Sequence, residues 1–175
     1  MVNYKFEKVN PEGETISKII SGPRLYGYFK KDGLLYKIYQ PMIKDLKFIK
    51  IQSYIQGSEQ LTYSLPYLII CSSMKDLLCF NKLGFKNAEA IAPDSENTLI
   101  PESQINEFKK KYKGICVIFD NDEAGIKAMA TYHNKFGLPY IKFDMEKDIS
   151  DSIEKHGIRK IREIITPLLK QTLNV

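Results

Sequence analysis

A chain of 175 residues with 43% apolar residues is long enough for one domain, or for a domain with a smaller neighbour, and for a core without covalent staples. Cys71, Cys79 and Cys116 are widely spaced and form no CxxC pair, which excludes a zinc ribbon and a disulfide framework and fits a reduced, cytoplasmic setting. No segment approaches the roughly 18 apolar residues of a membrane span, and the charged N-terminus is not a signal peptide, so we expect a soluble protein without a membrane partner.

Positive charge is concentrated in the N-terminal part of the chain. The formal net charge is +5, and residues 1–66 carry 10 Lys and Arg against 6 Asp and Glu. Aromatic residues are interleaved with these lysines, a mixture suited to phosphates and stacked bases. The candidate nucleic-acid or nucleotide contacts are Lys30, Lys31, Lys37, Lys47 and Lys50. A plain antiparallel sheet with aromatics inside and lysines outside explains the same pattern, and both interpretations stay open.

Residues 1–66 have the pattern of a small basic β-rich subdomain. Short β-like segments are separated by the turn-forming stretches KKDG, QP and QGS. Within them, LLYKIY (34–39) and KFIKIQ (47–52) predict strands.

From residue 67 onward, strand and helix patterns alternate. The predicted strands are 67–71, 88–92, 114–120 and 140–143, and the predicted helices are 74–83, 101–112, 122–136, one from about 149, and a C-terminal helix over 158–175. Near-continuous apolar strands that alternate with helices predict an α/β domain over 67–157, with a parallel sheet covered by helices on both faces. In the third helix, the spacing of Ile126, Met129, Ala130 and His133 predicts the face that packs on the core.

In such a sheet, the ligand site lies beyond the carboxyl ends of the strands. Asp120 ends the third predicted strand and Asp122 opens the helix behind it, while Ser72 and Asp148 follow the first and fourth strands. Neighbouring carboxylates at the end of a buried strand repel each other unless a cation compensates them. Paired carboxylates hold Mg²⁺ while leaving coordination positions for water and phosphate. The sequence therefore predicts a divalent metal site at Asp120 and Asp122.

Helix capping is a competing interpretation for several other carboxylates. A carboxylate at a helix N-terminus stabilises the helix by about 0.3–1 kcal/mol. Asp122 is placed to cap the third helix, Asp76 to complete a capping box at the first, and Asp148 with Asp151 to cap the helix from about 149. For Asp76 and Asp151, capping or solvation at the surface is the simpler interpretation.

The stretch VIFDNDEAGIKAM resembles the DxD motif of the TOPRIM domain, which is shared by bacterial-type DNA primases, type IA and II topoisomerases and several nucleases. Over residues 66–157, the segments LIICSSMKDLLCF, FDNDEAG and KDISDSIEKHG follow the order of the three acidic motifs of primase-like members. This resemblance implies that Asp120 and Asp122 are catalytic and metal-binding residues. It also implies that Asp76 is the acidic residue of the first motif and that Asp148 and Asp151 are those of the third, with Asp148 supporting the metal.

The upstream segment is similar to the N-terminal part of a primase RNA polymerase domain, with Lys47 and Phe48 as its lysine-aromatic pair. The resemblance implies a primase core of bacterial or bacteriophage type that makes short RNA primers on single-stranded DNA from ribonucleoside triphosphates with Mg²⁺ or Mn²⁺. It further implies a role in DNA replication in the cytoplasm of a bacterium or a phage-infected cell, with a replicative helicase as a possible partner.

One position departs from the family pattern. Ser72 stands where the first motif has a Glu, so that a hydroxyl replaces a charged ligand or acid–base group. We expect the Ser72 side chain to point toward the carboxylates of Asp120 and Asp122. Two other functions stay open: a TOPRIM nuclease in which the same carboxylates serve a water nucleophile, and a nucleic-acid-binding accessory domain with a weakened catalytic site.

Overall fold

The computed structural model describes the backbone of residues 5–9, 15–19, 26–31 and 34–39, and residues 55–95 and 97–174 with their side chains apart from that of Glu59. The chain divides into two compact units, Met1–Gln52 and Ser53–Val175.

The described part of the first unit consists of two antiparallel hairpins. Strand β1 (Lys5–Val9) pairs with β2 (Thr15–Ile19), and β3 (Tyr26–Lys31) pairs with β4 (Leu34–Tyr39). These strands confirm the predicted β-rich character and the strand at 34–39. The predicted strand at 47–52 lies outside the described residues.

The second unit is built on a mixed sheet, which in the described residues has four strands. They are β5 (Ile55–Gln56), β6 (Tyr67–Cys71), β7 (Ala88–Pro93) and β8 (Gly114–Ile118), arranged in the order β5-β7-β6-β8. Strand β6 runs parallel to both β7 and β8, whereas the short edge strand β5 is antiparallel to β7. The central strand shows why its sequence is apolar throughout: Leu68, Ile69, Ile70 and Cys71 are all fully buried, because the sheet is covered on both faces.

Five α-helices flank this sheet in the described part of the chain. They are α1 (Met74–Lys82), α2 (Glu102–Lys111), α3 (Glu123–Phe136), α4 (Ile149–His156) and α5 (Ile158–Leu173). The predicted helices and the α/β class are confirmed, and the predicted helix boundaries differ from the observed ones by at most two residues. None of these helices is long and apolar enough to cross a membrane.

Two details differ from the sequence-based expectation. The predicted strand at 140–143 is reduced to a single parallel bridge between Tyr140 and Val117, because a turn in which Met145 N donates to Phe143 O follows and takes the chain away from the sheet. The core-facing stripe of α3 is Gly125, Met129, Tyr132 and Phe136, rather than the one that begins at Ile126. Ile126 is instead 38% exposed.

Candidate metal centre

Three carboxylates converge beyond the carboxyl ends of the parallel strands. They belong to Asp76 on α1, to Asp120 in the loop after β8 and to Asp148 at the start of α4. One oxygen from each lies within 4.8 Å of the other two. We call these three side chains the acidic cluster. The sheet topology predicted the convergence, and all three members are among the predicted site residues, whereas Asp122, the neighbour of Asp120 in the predicted pair, is not part of the cluster.

Asp76 is the most firmly held member of the acidic cluster. Its carboxylate is buried, and its Oδ2 accepts hydrogen bonds from the hydroxyls of Ser72 at 2.8 Å and Ser73 at 2.6 Å. Its Oδ1 accepts a third bond from the backbone N–H of Ser150 at 3.2 Å. Asp76 is thus not solvated at the surface, and its side chain links the start of α1 to the start of α4.

Ser72 lies between two of the carboxylates. It follows directly after β6 and is buried. Its hydroxyl donates to Oδ2 of Asp76 at 2.8 Å and lies near enough to Asp120 to influence the pKa of that carboxyl. The carboxylate that Ser72 binds is therefore that of Asp76, and its expected orientation toward Asp120 and Asp122 stays a prediction.

Asp120 occupies the loop two residues beyond the end of β8, and its side chain is only 15% exposed. Burial raises the pKa of this carboxyl above its ordinary value, and the charges of Asp76 and Asp148 act in the same direction. The nearby hydroxyl of Ser72 and the charge of Lys147 oppose this rise in pKa. A carboxylate in such surroundings is destabilised as an anion and favours a nearby cation.

Helix α3 approaches the backbone of Asp120 very closely, and this fixes the place of Gly125. A Cβ atom on Gly125 would lie 2.2 Å from the carbonyl oxygen of Asp120, 2.8 Å from its carbonyl carbon and 2.9 Å from its nitrogen. Glycine is the one residue without a Cβ, so the last position of the DNDEAG stretch must be glycine for α3 to pack this closely against Asp120.

Asp122 has a different role from that of Asp120. It is the N-cap of α3, where its Oδ1 accepts a hydrogen bond from the backbone N–H of Gly125 at 2.9 Å. That bond and the neighbouring Lys147 lower the pKa of Asp122 below its ordinary value. Its side chain is 39% exposed, and it is not among the three carboxylates that converge. Asp122 thus caps α3, as the capping interpretation of the sequence predicts.

Asp148 is both a helix cap and a member of the acidic cluster. Its Oδ1 accepts a hydrogen bond from the backbone N–H of Asp151 at 2.7 Å, which caps α4. Its Oδ2 accepts a bond from the ammonium group of Lys75 at 2.8 Å. The side chain is buried, so this ion pair is partly shielded from water.

Two lysines that the sequence did not single out flank the acidic cluster. Lys75 pairs with Asp148 and lies 3.3 Å from Asp151. Lys147 lies 3.3 Å from Asp122 and 3.6 Å from Asp120, and its pairing with Asp122 raises the pKa of its ammonium group. Both lysines adjoin an acidic residue in the sequence, and this adjacency is the one local signal that could have identified them.

The donor set of the acidic cluster fits a divalent cation. Mg²⁺ and Mn²⁺ prefer oxygen ligands, and an ion about 2.1 Å from each ligand separates opposite oxygens by about 4.2 Å. Neighbouring ligands of an octahedral ion lie about 3 Å apart, so the three carboxylates, which now lie within 4.8 Å of one another, would draw closer together around it. Asp76, Asp120 and Asp148 would hold such an ion, and the hydroxyl of Ser72 would support two of them.

The candidate nucleic-acid contacts lie in the first unit. The register of β3 and β4 places Lys30 and Lys37 on one face of the hairpin, and Lys37 is directly opposite Tyr28. Lys31 lies on the other face. Lys47 and Lys50 lie outside the described residues.

Comparisons with known proteins agree with this architecture. A model of the Toprim-like family matches residues 69–153. The DNA primase of Campylobacter jejuni is 29% identical over 105 residues, which cover 56% of this chain and 16% of that primase.

Solved structures with the same fold are also primases. The Aquifex aeolicus primase, solved with its zinc-binding and RNA polymerase domains, matches with a TM-score of 0.52 at 19% identity, over 94% of this chain and 39% of that one. The primase fragment of the bacteriophage T7 primase-helicase protein matches with a TM-score of 0.51 at 13% identity, over 81% of this chain and 66% of that fragment. The chain thus corresponds to a minor part of the Campylobacter and Aquifex proteins.

Proposed function

We propose that the chain is a primase core that makes short RNA primers on single-stranded DNA, because residues 69–153 match the Toprim-like family model and the chain shares the fold of DNA primases. The observation that carries the proposal is the convergence of Asp76, Asp120 and Asp148 at the carboxyl edge of the sheet, where such folds bind ligands.

The acidic cluster is the proposed site of bond formation. A bound Mg²⁺ or Mn²⁺ ion supplies Lewis-acid chemistry, which lowers the pKa of an attacking 3′-hydroxyl and neutralises the charge of departing pyrophosphate. The role of the protein's own residues is to hold the carboxylates in place. Ser72 and Ser73 fix one oxygen of Asp76, and the capping bond from Asp151 N–H fixes one oxygen of Asp148.

A backbone hydrogen bond also joins the loop that carries Asp120 to the segment that precedes Asp148. Asn121 N–H, between Asp120 and Asp122, donates to the carbonyl oxygen of Lys147 at 2.6 Å. This bond links the loop after β8 to the residue before Asp148. The relative positions of the carboxylates therefore depend on the fold and not on flexible side chains alone.

The lysines of the first unit are the proposed contacts for template and nucleotide phosphates. Lys30 and Lys37 share one face of the β3–β4 hairpin with Tyr26, Tyr28 and Tyr39. Aromatics thus lie on the same face as two of the lysines, while the opposite face carries Phe29, Tyr36, Ile38 and Lys31. A mixed face of this kind favours binding of single-stranded nucleic acid, with Lys31, Lys47 and Lys50 as further phosphate contacts.

A replicative helicase is a proposed partner. The T7 relative is a primase-helicase protein, and a primase that acts at a replication fork needs access to freshly unwound template. The proposed setting is the cytoplasm of a bacterium or of a phage-infected cell, with ribonucleoside triphosphates as substrates.

A single assay separates this function from a nuclease or a binding domain. The protein is incubated with end-labelled single-stranded DNA, labelled ribonucleotides and Mn²⁺, and both DNA and RNA products are sized. Short RNA products that disappear in Asp120→Asn support a primase. Shortened DNA without RNA products identifies a nuclease, and neither product together with retained DNA binding identifies an accessory domain. Asp144→Asn is the matched control, because Asp144 pairs with Lys142 outside the acidic cluster.

A further inference from the structure

Lys75 places a positive charge directly on one of the proposed metal ligands. Its ammonium nitrogen lies 2.8 Å from Oδ2 of Asp148, a carboxylate that is buried and belongs to the acidic cluster. A lysine side chain is a cation at neutral pH, so this contact is an ion pair.

A divalent ion and this ammonium group compete for the same carboxylate. The backbone N–H of Asp151 occupies one lone pair of Oδ1 and the ammonium group of Lys75 lies on Oδ2, so a divalent ion bound by Oδ2 would share that oxygen with Lys75. Two cations on one oxygen repel each other, and the divalent ion interacts with the other two carboxylates as well. The ammonium group is the one that leaves.

Lys75 has room to move when it leaves Asp148. Its side chain is 49% exposed, and it rises from the first turn of α1, next to Asp76. The displaced ammonium group therefore stays close to the acidic cluster on the solvent side, where a substrate must enter. Lys147 also lies near the acidic cluster, 3.6 Å from Asp120, but its closer partner is Asp122 at 3.3 Å, which is outside the cluster.

We propose that Lys75 is an internal counter-ion of the metal site, which a divalent ion displaces from Asp148 and which then binds the phosphates of the incoming ribonucleoside triphosphate. The proposal rests on the primase function proposed above, and it names a residue that recognises the triphosphate of the substrate. Without metal, the same ammonium group compensates the charge of the buried carboxylate of Asp148.

Two binding measurements on Lys75→Met test the proposal, and neither depends on catalysis. Removal of the competing charge should tighten Mn²⁺ binding by about tenfold, the effect of one nearby charge at a partly exposed site. Free Mn²⁺ is followed by electron paramagnetic resonance. At saturating Mn²⁺, the same variant should bind fluorescently labelled ATP about tenfold more weakly, because a phosphate contact is lost.

Matched variants separate charge from structure. Lys75→Arg keeps the charge and should stay within about twofold of wild type in both measurements. Lys75→Gln keeps a hydrogen-bond donor to Asp148 and should behave like Lys75→Met, which covers the case in which the methionine variant folds poorly. Lys110→Met removes a surface lysine that pairs with Glu107 on α2, and it should change neither affinity.

Opposite changes in Mn²⁺ and ATP affinity support the proposal, since a general loss of structure weakens both. Unchanged or weaker Mn²⁺ binding in both Lys75→Met and Lys75→Gln overturns it, and so does unchanged ATP binding. If wild type itself binds no Mn²⁺, the metal site of the proposed function fails and this inference fails with it. If wild type binds Mn²⁺ but the variants match it, the inference alone fails.

Discussion

Replacement of Gly125 by alanine tests how the fold positions the acidic cluster. The added Cβ would lie 2.2 Å from the carbonyl oxygen of Asp120, whereas non-bonded carbon contacts are comfortable at about 3.5 Å. Helix α3 and the loop must therefore separate by about 1 Å. The atoms in contact are backbone atoms, so no side-chain rotation relieves the overlap.

The expected loss of stability is the difference between two effects. Overpacking against a rigid neighbour costs about 1–3 kcal/mol, and the clash with three backbone atoms places this change at the upper end. Alanine gains about 1 kcal/mol over glycine inside a helix. The net loss of about 2 kcal/mol corresponds to a fall in melting temperature of roughly 4–8 °C. Mn²⁺ affinity should fall by at least about tenfold, because Asp120 moves.

Gly137→Ala is the matched control for this experiment. Gly137 ends α3 with a left-handed φ of 66° and has open space where a Cβ would lie. Alanine there costs about 1–2 kcal/mol through backbone strain alone. It should lower the melting temperature without a change in Mn²⁺ affinity. Wild-type melting and Mn²⁺ binding in Gly125→Ala, or equal Mn²⁺ affinity in the two variants, would refute the reasoning.

Four further changes probe the site and the basic hairpin. Asp120→Asn should raise the melting temperature at neutral pH in the presence of a chelator, because folding raises the pKa of Asp120 and so disfavours its charged form. This gain should vanish at pH values below the pKa of an unfolded aspartate. Calorimetric titration of the same variant should show loss of Mn²⁺ affinity. Asp122→Ala should destabilise the protein by about 1 kcal/mol through loss of the cap. Because folding lowers the pKa of Asp122, this difference in unfolding free energy should be largest above the unfolded pKa and shrink as the pH falls through the folded pKa. Ser72→Glu should lower the melting temperature without metal and increase the stabilisation by Mg²⁺, and an increase no larger than that of wild type would place the residue outside the metal site. The double change Lys30→Ala and Lys31→Ala should reduce the salt dependence of single-stranded DNA binding by about 0.7 in log–log slope for each lost phosphate contact, and an unchanged slope would make the hairpin a solvated surface.

The sheet and helices could be predicted because their signals are local. Apolar runs such as 67–71 and the change to helical spacing after residue 73 depend on a few neighbouring residues. The buried face of α3 could not be predicted from local spacing. The packing of α3 depends on Gly125, which contacts the backbone of Asp120 but has no side chain and so adds nothing to an apolar pattern.

The site was predicted at the right edge of the sheet, but its membership depends on tertiary structure. Asp120 and Asp122 are close in sequence, yet the second is turned toward the N-terminus of α3. Asp76 and Asp148 are distant in sequence and meet because α1 packs against α4. The pairing of Lys75 with Asp148 spans 73 positions, and no local pattern contains it.

The most direct test of a primase function is formation of the first phosphodiester bond. The protein is mixed with single-stranded DNA, labelled ribonucleoside triphosphates and Mn²⁺, without any pre-formed primer, and dinucleotide products are separated by mass. We predict a template-dependent dinucleotide that retains its 5′-triphosphate, and its loss in Asp76→Asn as well as in Asp120→Asn. Absence of any dinucleotide from a folded, Mn²⁺-bound wild-type protein on templates of varied sequence would contradict the account.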